Sequence, residues 1–189
     1  MQAVRIHPTA VVDEGARLGA GTAVWHFCHL MPDCELGENC NLGQNVFVAS
    51  GVRLGRNCKV QNNVSLYAGV RCGDDVFIGP SAVFTNVKNP RSGVNRRGQY
   101  VETVLEDGVT VGANAVIVCG VKLGRFAMVG AGSVVTKDIA PFTLVVGNPA
   151  RPLGFVSRAG ERLAFTGGRA TCPHDGSVYR LENGAVRPQ

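Results

Sequence analysis

The chain is short of aromatics, at 6% with a single tryptophan, and short of charge, at 17%. With so few rings there is little on which nucleic-acid bases could stack, so the net charge of +5 does not by itself point to DNA or RNA. No apolar run reaches the roughly 18 residues of a membrane span, and no membrane insertion is expected. The start, MQAVRIHPTAVVDEG, lacks the apolar core of a signal peptide, so a cytoplasmic location is the expectation. One further absence is local. Between Val76 and Val101 there is no Asp or Glu, while Lys88, Arg91, Arg96 and Arg97 crowd together. A hydrophobic share of 45% argues against disorder, and 189 residues suffice for one domain with a core.

What the chain does have is a period of six. From Ile6 it runs through Val12, Leu18, Val24, Leu30, Leu36, Leu42, Val48, Leu54, Val60, Leu66, Cys72, Ile78 and Phe84. It breaks there and resumes as Leu105, Val111, Ile117, Leu123, Val129 and Val135. Three residues after each of these positions stands Gly, Asn or Asp in 15 of 20 repeats, the residues that tolerate a left-handed backbone. The next position is small or β-branched, as at Ala10, Ala16, Thr22, Cys28 and Val46. Each hexad therefore reads as a corner followed by a short strand pointing in, out, in. Three hexads close a triangular coil, and coils stack at about 4.8 Å. The repeat resembles the hexapeptide-repeat transferases, and that resemblance implies an all-β fold, a left-handed parallel β-helix with one inserted loop and a small C-terminal β extension. The expected division is 1–151 for the helix, with the loop at 85–104, and 152–189 for the extension.

Cys28, Cys34, Cys40 and Cys58 fall in the small inward column and Cys72 in the aliphatic one, which favours core packing over metal binding. The tail motif TCPHDG at Thr171 is half a zinc knuckle without the second cysteine pair that four ligands need. Solenoids of this kind also include zinc carbonic anhydrases, but these need three converging histidines. Here His7, His26 and His29 all precede the end of the third coil. No metal is expected.

If the insertion replaces one corner, the outward residues sort into three walls. One carries Val11, His29, Phe47, Ser65, Val83, Val116 and Val134, with no fixed charge. Such a face should be covered, either by self-association or by the chain's own tail. Closed rotational symmetry is what homo-oligomers prefer, and the family resemblance implies a homotrimer. The insertion, TNVKNPRSGVNRRGQYVETV, leaves the corner ending this wall, so Asn86 should sit beside a subunit boundary. Its basic cluster suits an anionic ligand, with Arg91, Arg96 or Arg97 meeting phosphate or carboxylate.

The stretches VWHFCHLMPDCELG, LGQNVFV, VQNNVSLYAGV, FIGPSAVFTNVKNPRS and VVGNPARPLGFVS are similar to those of bacterial nucleotide-sugar 3-N-acetyltransferases. Within that family the likeness runs to members acting on UDP-linked 2-acetamido-3-amino-2,3-dideoxy-glucuronic acid for lipopolysaccharide O-antigen. It implies acetyl transfer from acetyl-CoA to the 3-amino group, with UDP-sugar and CoA as the partners. Enzymes for dTDP-linked 3-amino-3,6-dideoxyhexoses share most of the motifs and are the alternative; a non-catalytic hexapeptide scaffold is the other. The resemblance supports Asn86 as the group orienting the amine, with His29 as a competing base. It places CoA along Gly112, Ala113, Gly130 and Ala131, with Lys137 and Arg151 for its phosphates. Gln61, Asn62, Tyr67, Asn89, Arg91, Arg96 and Arg97 are the substrate candidates. In the tail, Glu182-Asn183-Gly184 between SVYRL and AVRP reads as a hairpin turn capping the open end.

Overall fold

The computed structural model describes residues 3–189, which form strands, turns and loops without a helix among the described residues. Strands of two residues, three at Val70–Cys72, recur at every sixth position from Arg5–Ile6 to Val83–Phe84 and stack in parallel on three walls, a left-handed β-helix. Wall 1 runs Val11, His29, Phe47, Ser65, Val83, Val116, Val134 in unbroken register. Wall 2 runs Arg17, Glu35, Arg53, Arg71, Val104, Lys122. Wall 3 runs Ala23, Asn41, Lys59, Phe77, Thr110, Met128. The insertion therefore replaces a single corner, the supposition on which the walls were sorted. The chain passes from wall 3 to wall 1, from 1 to 2, and from 2 to 3, giving three long edges named accordingly.

The period exists because the middle residue of each rung points outward and its two neighbours point inward, as His29 does between Cys28 and Leu30. Leu30, Leu42, Val60, Leu66, Leu105 and Ile117 are wholly buried in one continuous core. Cys28, Cys34, Cys40, Cys58 and Cys72 join it; all seven cysteines are free and buried, and the Cys28, Cys40 and Cys58 thiols donate to the carbonyls of Gly43, Gly55 and Gly73. Left-handed corners occur where Gly, Asn or Asp was expected, with two differences. Phe27, Ser81 and Phe126 also adopt positive φ, at 57°, 58° and 58°, although their side chains do not favour it. Asp138 does not adopt it; its carboxylate instead accepts the Lys122 N–H at 2.8 Å. Stacked corners bond to one another, as Asn45 Nδ2 does to Asn63 Oδ1 at 3.1 Å and Asn57 Nδ2 to Asp75 Oδ1 at 2.7 Å. Wall 2 carries surface ion pairs, Glu35 with Arg17 and Arg53, and Glu106 with Lys122.

The last parallel rung is Thr143–Val146 on wall 3. After the Gly147–Ala150 turn, with its cis Asn148–Pro149 bond, Arg151–Val156 runs back antiparallel to it. Arg162–Leu163 then pairs with that strand. A separate antiparallel sheet follows, Arg169–Thr171, Val178–Glu182 and Ala185–Pro188. Its hairpin turns at Asn183 and Gly184, both at positive φ. Tyr179 anchors it against Phe142, ring centroids 5.8 Å apart, and Phe142 stacks on Phe126 at 5.2 Å, both on the 2/3 edge. Gly184 also lines a cavity of about 540 Å³ at the C-terminal mouth of the tube, with Val135, Ile139 and Val145.

Candidate active site

The insertion leaves the 1/2 edge and is tied down at its root. The Thr85 hydroxyl accepts the Cys119 N–H at 2.9 Å, and the Thr103 hydroxyl accepts the Gly120 N–H at 3.3 Å. Val101 N–H donates to the Asn86 carbonyl at 2.9 Å, closing the excursion. Asn86 is thus half-buried at a fixed point where loop meets tube. Beyond it the chain makes two turns, closed by Val94 N–H to the Arg91 carbonyl and Gln99 N–H to the Arg96 carbonyl, both at 3.0 Å. Asn89, Arg91 and Arg97 are exposed there. Arg96 differs. One terminal nitrogen donates to Gln99 Oε1 at 3.1 Å, but its Nε is buried with no acceptor among the described residues. A buried donor without a partner costs about 1–3 kcal/mol.

Tyr67 stands on the same edge, one coil before Asn86. Its ring contacts Phe47 at 5.9 Å, and Phe47 meets His29 edge-on at 5.7 Å, forming an aromatic band across wall 1. His29 Nε2 lies 3.0 Å from Asp13 Oδ2. Three rungs separate His29 from Val83 on wall 1, roughly 14 Å at the strand spacing, so His29 and Asn86 do not form one cluster.

Of the remaining candidates, Gln61, Asn62, Gly112, Ala113, Gly130 and Ala131 lie on the 3/1 edge. Gln61 and Asn62 share a cavity of about 260 Å³ with Trp25, His26, Asn41, Gly43 and Gln44. Asn62 is committed in part to the scaffold: its Oδ1 accepts the Gln44 N–H at 2.8 Å. Asp74 does the same for Arg56 N–H at 2.7 Å, and Asp107 for Asp74 N–H at 3.0 Å, on other corners. Gly112 is likewise demanded by the tube, since a Cβ there would lie 2.5 Å from the Ala131 nitrogen. Ala113 is half-buried and Ala131 exposed along the same edge. The GNPA turn seals its end, with Gly147 N–H on Ser133 Oγ at 3.1 Å and Ala150 N–H on the Val134 carbonyl at 2.8 Å. Lys137 and Arg151 are exposed at the C-terminal mouth and line its cavity.

The candidates thus form two half-sites on opposite edges of wall 1. Wall 1 lies between the two edges, and no residue of the loop lines the cavity that holds Gln61 and Asn62. The charges agree with this division. The 3/1 edge carries no carboxylate among the described residues, whereas on the 2/3 edge hydrogen bonds from Arg56 hold Asp74 below the usual range and the Lys122 ammonium does the same for Glu106. Trp25 and Asn41 were passed over in the sequence; the signal available was a lone tryptophan one coil from a glycine in a column of polar corners.

Models of the bacterial transferase hexapeptide match residues 15–50 and 102–137, and that of the hexapeptide repeat of succinyl-transferase matches 35–68. The chain is 40% identical over 181 residues to dTDP-3-amino-3,6-dideoxy-alpha-D-galactopyranose 3-N-acetyltransferase of Aneurinibacillus thermoaerophilus, covering 96% of this chain and 93% of that one. Among solved structures, a galactoside acetyltransferase in complex with coenzyme A superposes with a TM-score of 0.59 at 27% identity over 70% of each chain. A maltose O-acetyltransferase from Clostridium difficile 630 gives 0.55 at 27% identity, over 62% of this chain and 67% of that one.

Proposed function

The chain belongs to the bacterial hexapeptide-repeat transferases, and on that premise we propose that it transfers acetyl from acetyl-CoA to the 3-amino group of a nucleotide-linked amino sugar. The observation that carries the reading is the pair of half-sites flanking an uncharged wall. Wall 1 exposes Val11 and Val83 at 54% and 48%. A three-fold axis along this wall covers it, and sets the 3/1 edge of one subunit against the 1/2 edge of its neighbour. Each cleft then receives Asn86 and the basic loop from one side and the glycine and amide corners from the other.

The levels along the tube order the ligands. Asn86 leaves at the level of Gly79. Gly112 and Gly130 stand one and two coils toward the C-terminus, followed by Lys137 and Arg151 for phosphates. This is the CoA side. Gln61 and Tyr67 stand one coil toward the N-terminus, the nucleotide-sugar side. Thioester and amine meet at Asn86. A sugar amine with a pKa of about 8, like an α-amino group, keeps a useful neutral fraction near pH 7 and needs no strong base. The Asn86 side-chain oxygen accepts an amine N–H and aims the lone pair at the thioester carbonyl. A backbone N–H of the next coil holds the oxyanion. The C–S bond then breaks, and the CoA thiolate takes the proton. His29, some three rungs away, contributes to assembly.

For the sugar, the acid-free loop and the unpaired Arg96 Nε support a UDP-linked 2-acetamido-3-amino-2,3-dideoxy-glucuronate, whose carboxylate supplies the missing acceptor. The relative at 40% identity supports a second reading, a dTDP-linked 3-amino-3,6-dideoxyhexose. Either product would feed O-antigen sugar synthesis in the cytoplasm, where acetyl-CoA is found. The test is release of CoA thiol from acetyl-CoA with a panel of UDP- and dTDP-linked 3-amino sugars. Turnover with the uronate is expected; turnover with the deoxyhexose alone favours the second reading. No thiol release with any of them would leave a scaffold instead.

A further inference from the structure

Trp25 is the only tryptophan in the chain, and the core does not account for it. Its residue surface is 44% exposed on the 3/1 edge. Its indole N–H donates to Asn41 Oδ1 at 2.8 Å, which fixes the ring's orientation. The His26 ring lies nearly parallel beside it, at 6.4 Å and 9°, and is itself stacked on His7 at 3.5 Å. One coil along, the position equivalent to Trp25 is Gly43; two coils along it is Gln61. Glycine is imposed at 43 by the stacking, because a Cβ there would collide with Asn62. The by-product is a gap beside the indole, two coils or roughly 10 Å from the level of Trp25 to that of Gln61. That is room for one flat ring between them.

The gap is the 260 Å³ cavity, and no carboxylate, lysine or arginine is among the residues lining it. Amides surround it instead, from Gln44, Gln61 and Asn62. An amide side chain presents a donor and an acceptor side by side, as does the N3–H and carbonyl edge of a pyrimidine. An aromatic face accepts any base; the amide edge is what selects one. We propose that this pocket holds the pyrimidine base of the nucleotide sugar, stacked on Trp25 and read along its edge by Gln44 and Gln61. The inference rests on the nucleotide-sugar reading above and extends it to a subsite. Trp25 stands three coils from Gly79, roughly 14 Å, a separation that a ribose and a diphosphate bridge between base and amino sugar.

Because the tryptophan is unique, its fluorescence reports this pocket alone. Titration of the intact protein with UDP and with dTDP should give a saturable change with one or both. GDP, whose purine overfills the slot, and CoA, which belongs farther along the edge, should give none. In thiol-release kinetics, Trp25→Ala should raise KM for the nucleotide sugar about ten-fold or more, leaving kcat and KM for acetyl-CoA near wild type. Trp25→Phe should recover most of that loss, which separates stacking from folding, and Gln61→Ala should reproduce it without removing the ring. Equal responses to GDP and UDP, or an unchanged KM in both Trp25→Ala and Gln61→Ala, would overturn the pocket while leaving acetyl transfer standing. Conversely, a saturable UDP response in a protein that acetylates no amino sugar would keep the pocket and sink the reaction.

Discussion

Val83 pairs with Val116 across wall 1 in the same register by which Ser65 pairs with Val83, although the chain makes its one long detour between Val83 and Val116. The ladder closes over the base of the insertion without a fault, so the tube does not need the loop for its register.

Excising most of the loop, with residues 87–100 replaced by a short glycine link, should therefore leave the β-sheet circular dichroism and melting temperature close to wild type. Thiol release should fall below detection. A collapsed melt would show that the loop supports the tube.

Asn86→Ala should lower kcat about 100-fold, the scale of a lost orienting contact, with little change in KM for acetyl-CoA. His29→Ala should retain kcat within a few-fold and act on assembly, visible in sedimentation. The opposite pattern would make His29 the base.

Charging wall 1 should prevent the proposed trimer from forming. Val83→Lys, at a position 48% exposed in the isolated chain, is expected to give monomers in sedimentation velocity and to abolish turnover, because each cleft loses one half-site. Arg53→Ala on wall 2 should do neither.

Asp74 makes part of the stability acid-labile. Hydrogen bonds from Arg56 lower its folded pKa, so its contribution is complete above the unfolded value and lost as pH falls through the folded one. Asp74→Asn, which keeps the oxygen for Arg56 N–H as Asn62 does for Gln44, should melt lower than wild type at pH 6. The gap should close below about pH 4, the ordinary aspartate value. The gap should be small, since the pair is solvent-screened.

The thiols should be silent in the native protein. Burial pushes the Cys72 thiol up to about 12, and the Cys58 thiol is raised by its hydrogen bond with Cys40 and by burial. A thiol reagent at pH 8 should label none of the seven until denaturant is added.

The fold was legible because the repeat couples one inward residue to one corner, twenty times over, and that pattern fixes walls and register together. The corners at Phe27 and Phe126 were not legible. Neither side chain favours a left-handed backbone, and stacking on both sides imposes it there. Gly112 and Asn62 looked like ligand contacts, yet the neighbouring coil already accounts for the one and uses part of the other. The loop was legible as an excursion from the break in the repeat. Its separation from Gln61 was not, because neighbours in a repeat's columns can still lie on different edges. Trp25 escaped notice because its meaning depends on Gly43, a coil away.

The Gly147–Ala150 turn has a consequence of its own. A stack of identical rungs is an open-ended template, since the final rung offers the backbone groups that the next would need. By sending Arg151–Val156 back against Thr143–Val146, the chain spends that last row on an antiparallel partner. Growth on wall 3 stops there, and a sequence built to repeat folds into an object of fixed length instead of seeding a fibre.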